Sequence, residues 1–261
     1  MAELANHLWQ AANPNQGNFL YQNNVTYVVV LWGGLTTNFI WCMILNARNK
    51  TFGDYTNRKT PLVANYIFSA LAGITCVGDF HYLHHDADGV RYADPQAMDT
   101  AIAAAAEEAG IRLTLLDTCY LQGGIDTELS AVQRRFADAD ADAWAARADS
   151  VHRRLSGTRV KVGAAVHSVR AVGPQAMEVV GAWAERHGAP VHAHVSEQMG
   201  ENEQCRAAYG CSPTQLLADH GLLGQRFTAV HFTHVDQQDI ALLGGAGASV
   251  CLCPTTERDL A

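Results

Sequence analysis

The chain has 261 residues, 48% of them hydrophobic, enough to bury a large core as one α/β barrel or as two smaller domains. Its formal charge of −8, with Lys and Arg scattered, excludes the basic stripe that a nucleic-acid surface needs and leaves a small molecule as the expected partner. Seven cysteines without paired spacing read as reduced thiols of a cytosolic protein, with Cys251 and Cys253 structural.

From Leu4 to Ala47 there is no Asp, Glu, Lys or Arg, and Val25 to Leu45 forms an apolar run of roughly the 20 residues that a bilayer requires. This spacing predicts a membrane-spanning helix, and so membrane association through residues 25–45; a buried helix of a soluble protein is the alternative. Arg48, Lys50, Arg58 and Lys59 against Asp54 then read as a basic loop before a second apolar segment from Pro61 to Thr75. The late start of the run, with no basic region before it, argues against a secretory signal. On NNVTYVVVLWGGLTTNFIWCMILNARNK and LVANYIFSALAG, residues 15–75 resemble part of a rhamnose–proton symporter. Two spans cannot enclose a transport site, so transport is not inferred.

After residue 75 short β-branched runs alternate with amphipathic stretches, the rhythm of β/α units around a parallel sheet. Strands are predicted at Ile74–Phe80, Ile111–Leu116, Val160–Val166, Pro190–Val195, Phe227–His231 and Ala248–Leu252. The first helix is predicted from Asp94 as N-cap and Pro95 to Glu108, stopped by Gly110. Others are expected at Thr127–Phe136, Ala141–Leu155, Gly173–His187, Pro213–His220 and Gln237–Leu243. The expected fold class is α/β, a partial TIM-type barrel lacking its first and last strands, over 75–261; an unrelated apolar helical segment occupies 1–74. A doubly wound sheet is the second choice, and no G-x-G-x-x-G supports a dinucleotide site.

His81, His167, His194 and His231 each stand at the carboxyl end of a predicted strand, the rim where barrel enzymes place their chemistry. Four at equivalent positions outweigh the plain reading of a single hydrogen-bonded structural histidine. In His192-Ala-His194-Val-Ser-Glu197, alternation puts both imidazoles on one side, and Glu197 can reach back from the next turn. A neutral imidazole is a good metal ligand, and a nearby carboxylate can move the proton of an activated water.

His194 with Glu197, followed by His231 in VHFTHVD, resembles the fifth- and sixth-strand motifs of the amidohydrolase superfamily. By that resemblance His194 binds the metal, Glu197 shuttles protons, and His231 polarises or orients the substrate. GDFHYLHHD, LTLLDTCYLQGG, GAAVHSVRAV, HAHVSEQMGEN and CPTTERDLA resemble more narrowly the formimidoylglutamate deiminase family of histidine breakdown, across about 185 residues. The resemblance makes Arg170 the binder of a substrate carboxylate, a role that a two-pronged guanidinium suits, and makes Tyr82 and His167 substrate contacts. It implies hydrolysis of the formimino carbon of N-formimino-L-glutamate to N-formyl-L-glutamate and ammonia. One divalent metal, zinc or another that accepts imidazole, is implied as cofactor. A cytoplasmic location and a homodimer are also expected.

The family takes two further metal ligands from a first-strand His-x-His and one from an eighth-strand Asp, and the sequence shows neither. One imidazole falls short of the three ligands a catalytic zinc uses, so the expectation is an inactive deiminase fragment fused to a transporter-like piece at ALAGIT. Its open sheet edges predict aggregation. A purine, pterin or other amidine deaminase is the rival enzyme, and a membrane-associated fusion fragment without catalysis the rival class.

Overall fold

The computed structural model describes residues 63–260, apart from 64, 87 and 158. The apolar run at 25–45 and nearly all of the symporter-like segment lie outside the described residues, and the comparisons reported below lend that resemblance no support. Among the described residues no helix is long and apolar enough to cross a membrane.

Six strands form one parallel sheet in unbroken chain order: β1 (Cys76–His81), β2 (Arg112–Cys119), β3 (Val160–Ser168), β4 (Val191–Val195), β5 (Phe227–His231) and β6 (Ser249–Cys251). A doubly wound sheet would reverse its order at a switch point; this one does not. Between the strands run α1 (Ala97–Glu108), α2 (Ala141–Leu155), α3 (Pro174–His187), α4 (Met199–Tyr209), α5 (Pro213–Asp219) and α6 (Gln237–Gly245), with α7 (Pro254–Leu260) after β6. With every crossover of the usual right hand, a monotone order stacks these helices on one face.

The other face is curled. Phe80 of β1 lies 4.4 Å, ring to ring, from His194 of β4. In a flat sheet three strand spacings would hold them about 14 Å apart. Phe80, Leu116, Ala165, Val230 and Cys251 accordingly meet in one inner cluster drawn from five strands. Alternate residues such as Val77, Leu115, Val162, Ala193 and Ala229 point outward into the larger core, where Trp144 of α2 meets Trp183 of α3 edge-on at 5.7 Å. The sheet is thus a partial barrel, as the β/α rhythm predicts.

Local chemistry explains the element ends. Asp140 caps α2 by accepting from the Ala143 amide at 2.7 Å, Pro174 opens α3, and Gly188 closes it at φ +59°, a conformation that suits glycine. Two expectations need correction. Residues 127–136 are not an α-helix but turns with one 3₁₀ segment at Gln133–Arg135, because the Gln133 side chain is committed to the Ser130 amide, the Gly123 carbonyl and the Tyr120 hydroxyl. Asp94 does not cap α1; it turns the chain by accepting from the Gln96 amide, and the helix starts at Ala97. Helices α4 and α7 lie where the sequence showed motifs rather than periodicity.

Candidate active site

Inner-face alternation carries His192 and His194 to the lumen side of β4, where both are buried. The His194 Nδ1 lies 2.7 Å from the His167 carbonyl oxygen. A carbonyl can only accept, so Nδ1 carries the proton and the Nε2 lone pair faces away from that bond. Burial, more than any neighbour, lowers the pKa of His194 to about 3 and that of His192 to about 4, which keeps both rings neutral near pH 7.

Next in the chain, Ser196 adopts φ +51°. This left-handed turn brings Glu197 back over the strand end, with Oε1 3.3 Å from His231 Nε2 and Oε2 3.4 Å from Arg170 Nη2. His231 and Phe232, at φ +72° and +57°, repeat the device at the end of β5. Continuing the alternation of Phe227 and Ala229 would send the His231 ring toward the helices; instead it stacks on His194 at 5.5 Å. Three of the four non-glycine left-handed residues among those described thus sit at this rim. Such conformations cost about 1–3 kcal/mol each and persist where the surroundings enforce them.

His231 Nδ1 stands 3.3 Å from Glu257 Oε1, so the ring lies between two carboxylates. Donor atoms of His231, Cys253 and Glu257 all lie within 4.8 Å of one another. Glu201, one helical turn after Glu197, accepts from the Glu197 amide at 3.3 Å and sits 3.9 Å from Arg170 Nε. Burial raises its carboxyl to about 7, against the pull of Arg170.

One wall is aromatic. His167 meets Tyr120 at 4.6 Å and Tyr82 at 5.2 Å, and Phe136 closes on Tyr82 at 5.1 Å. Burial pushes the Tyr82 hydroxyl to about 12 and, with His194 and Arg170, holds His167 well below the usual histidine range.

The structure therefore gathers Tyr82, His167, Arg170, His194, Glu197 and His231 at one rim. His81 is the exception: Phe80 faces the lumen, so its neighbour turns to the helix layer, 3.4 Å from Asp99 of α1. Tyr120, Glu201 and Glu257 belong to the site as well. Their signals were present in three of the quoted phrases, but only the fold shows which residue of each phrase turns inward.

A parallel partial barrel with His, Glu and Arg converging at the carboxyl ends of its strands has the construction of a β/α-barrel enzyme. Residues 69–261 match the amidohydrolase family, and the chain belongs to it. It is 39% identical over 196 residues to formimidoylglutamate deiminase of Pseudomonas aeruginosa, covering 75% of this chain and 43% of that protein. It is 29% identical to 8-oxoguanine deaminase of the same organism, over 73% of this chain and 41% of the relative. An amidohydrolase from Brucella melitensis superposes with a TM-score of 0.74 at 36% identity, over 84% of this chain and 49% of that one. A zinc-bound adenosine deaminase from Xanthomonas campestris, at 22% identity, shares the fold with a TM-score of 0.61, over 87% of this chain and 45% of that one. The chain spans less than half the length of each of these proteins.

Proposed function

We propose that this chain belongs to a metal-dependent deiminase of N-formimino-L-glutamate, yielding N-formyl-L-glutamate and ammonia. The observation that carries the reading is the Arg170 guanidinium at the barrel mouth, partly exposed and 3.4 Å from Glu197, a cation placed to hold an acidic substrate beside the proton-transfer group. The 39% identity to a formimidoylglutamate deiminase supports the same substrate.

His194 fits a metal ligand, because its bond to the His167 carbonyl puts the proton on Nδ1 and so leaves Nε2 unprotonated. On the neighbouring strand end the His231, Cys253 and Glu257 donors form a cluster within 4.8 Å of one another. When bound, a divalent ion supplies a water whose pKa falls from 15.7 to about 7. Glu197 is positioned to take a proton from the attacking water and return it to the departing nitrogen. His231, 3.3 Å away, orients that carboxylate and can hydrogen-bond the reacting centre. Arg170 fixes the substrate carboxylate, exchanging part of its contact with Glu197 for it.

The test is ammonia release from N-formimino-L-glutamate by the purified chain with and without zinc, alongside calorimetric binding of N-formyl-L-glutamate. Arg170→Glu should abolish binding of the acidic ligand and leave an uncharged amidine nearly unaffected. Equal losses on both would refute the assignment.

A second reading rests on the aromatic wall. Tyr82, Tyr120, Phe136 and His167 could stack a flat heterocycle, as a purine or pterin deaminase requires. Tyr120→Ala would then cost more with a heterocyclic ligand than with N-formyl-L-glutamate.

A further inference from the structure

On the opposite side of the sheet from this site, a second group of ionisable residues is sealed between β1, β2 and the helices. His81, His84 and Asp99 are each 3% exposed or less, and their donor atoms lie within 4.8 Å of one another. His81 Nε2 is 3.4 Å from Asp99 Oδ1, and the two imidazoles meet edge-on at 5.0 Å. The separation of 3.4 Å is close to the edge of a tetrahedron built on metal–ligand distances of about 2.0–2.1 Å.

The polar atoms here are only partly engaged by the fold. Apart from the Asp99 backbone amide, no group bonds the Asp99 carboxylate oxygens, and the Thr118 backbone is the one polar contact of the His84 ring, leaving its other nitrogen open. Asp117, which pairs in register with His81, gives one oxygen to Arg147 at 2.6 Å and has the other, Oδ2, unpartnered. Buried polar groups are nearly always bonded, and a buried charge without a partner is strongly unfavourable.

Charge points the same way. Asp99, Asp117 and Asp138 carry three negative charges when ionised, and Arg147, bound to Asp117 and Asp138, answers one of them. The neighbouring Asp94–Arg154 pair at 3.2 Å cancels itself. Two negative charges remain in a space closed to water, and a divalent cation would balance them. Burial lowers the pKa of His81 to about 4 and holds that of His84 well below the usual histidine range, so both imidazoles are neutral and competent to ligate.

We propose that His81, His84 and Asp99 form a structural divalent-metal site, zinc by preference, pinning β1 to α1, with a water completing the set. A closed site with imidazole and carboxylate ligands is the structural rather than the catalytic pattern. It stands on the sheet face opposite His194 and does not depend on the function proposed above.

The full chain, stripped with chelator, reloaded with zinc and desalted, would be analysed for metal beside His194→Ala, His84→Gln and Asp99→Asn. His194→Ala should keep about one equivalent that Asp99→Asn and His84→Gln, made in that background, lose. Zinc should also shift the ¹⁵N resonances of His81 and His84 and raise the melting temperature in the His194→Ala protein but not after Asp99→Asn. Failure of the His194→Ala protein to retain metal overturns the proposal, and so does metal retained undiminished after Asp99→Asn. Should His84→Gln fail to fold, the near-isosteric Asp99→Asn decides the question.

Discussion

Arg147→Met is the substitution whose outcome the structure constrains most tightly. Arg147 donates to Asp117 at 2.6 Å and grips Asp138 at 2.8 and 3.0 Å, and Asp117 is fully buried. Methionine fills much of the same space but leaves those carboxylates without their cation. Removing one partner of a buried pair destabilises by about 3–5 kcal/mol, a large share of the roughly 5–15 kcal/mol that holds a domain together. The loss should depend on pH. Burial raises the Asp117 carboxyl and Arg147 pulls it back down, so the variant's carboxyl rises further. A folded state that keeps this proton while the unfolded chain releases it, above about pH 4, loses stability as pH climbs toward the raised value. Urea unfolding followed by circular dichroism should therefore show a wider gap between native and variant proteins near pH 7.5 than near pH 5. Adding Asp117→Asn should narrow that gap. A deficit below about 1 kcal/mol near pH 7.5, or one equal at both pH values, would refute the reasoning.

Three further outcomes follow from single positions. His192, its pKa lowered to about 4 by burial, stays neutral in the folded state while the unfolded chain protonates below about 6.5, so its contribution is lost as pH falls between those values. That amounts to about 2 kcal/mol near pH 5, and His192→Gln should flatten the acid limb of the stability curve by that amount. Gly163→Ala would place a methyl 2.9 Å from Leu116 Cδ2 and 3.2 Å from the Pro190 carbonyl oxygen, and should cost about 1–3 kcal/mol in the denaturation midpoint without altering the circular dichroism spectrum. Trp183→Phe removes the 2.7 Å bond from the indole to Asp149 and should cost about 1 kcal/mol or more in urea unfolding, with Asp149 keeping its 2.9 Å contact with His187.

What could be read from the sequence follows the length scale of each interaction. All six strands are local: β-branched runs between turn signals mark them, and their bounds agree with the structure to within a residue or two, except at the carboxyl end of β2. The helix expected over 127–136 failed because composition alone does not reveal a glutamine whose amide is already committed to Tyr120 and Gly123. The inward turn of His231 was equally hidden. It depends on φ values of +72° and +57° that neither histidine nor phenylalanine favours, and that only the packed rim imposes.

The phrase GDFHYLHHD shows most clearly why residue types alone could not apportion the chemistry. Read as a string, its histidines and tyrosine suggest one cluster beside the other strand-end histidines. A strand has a period of two, however, and β1 divides the phrase between two faces. Phe80 and Tyr82 go inward, to His194 and His167, while His81 goes outward to Asp99, and His84 joins it from the following loop. Each face then supplies what the other cannot: aromatic surface and a cation for a ligand that comes and goes, and a sealed set of neutral imidazoles and carboxylates that no exchangeable ligand could reach. A shift of one residue in the β1 register would exchange these assignments, so the pairing of His81 with Asp117 is the contact that sets both.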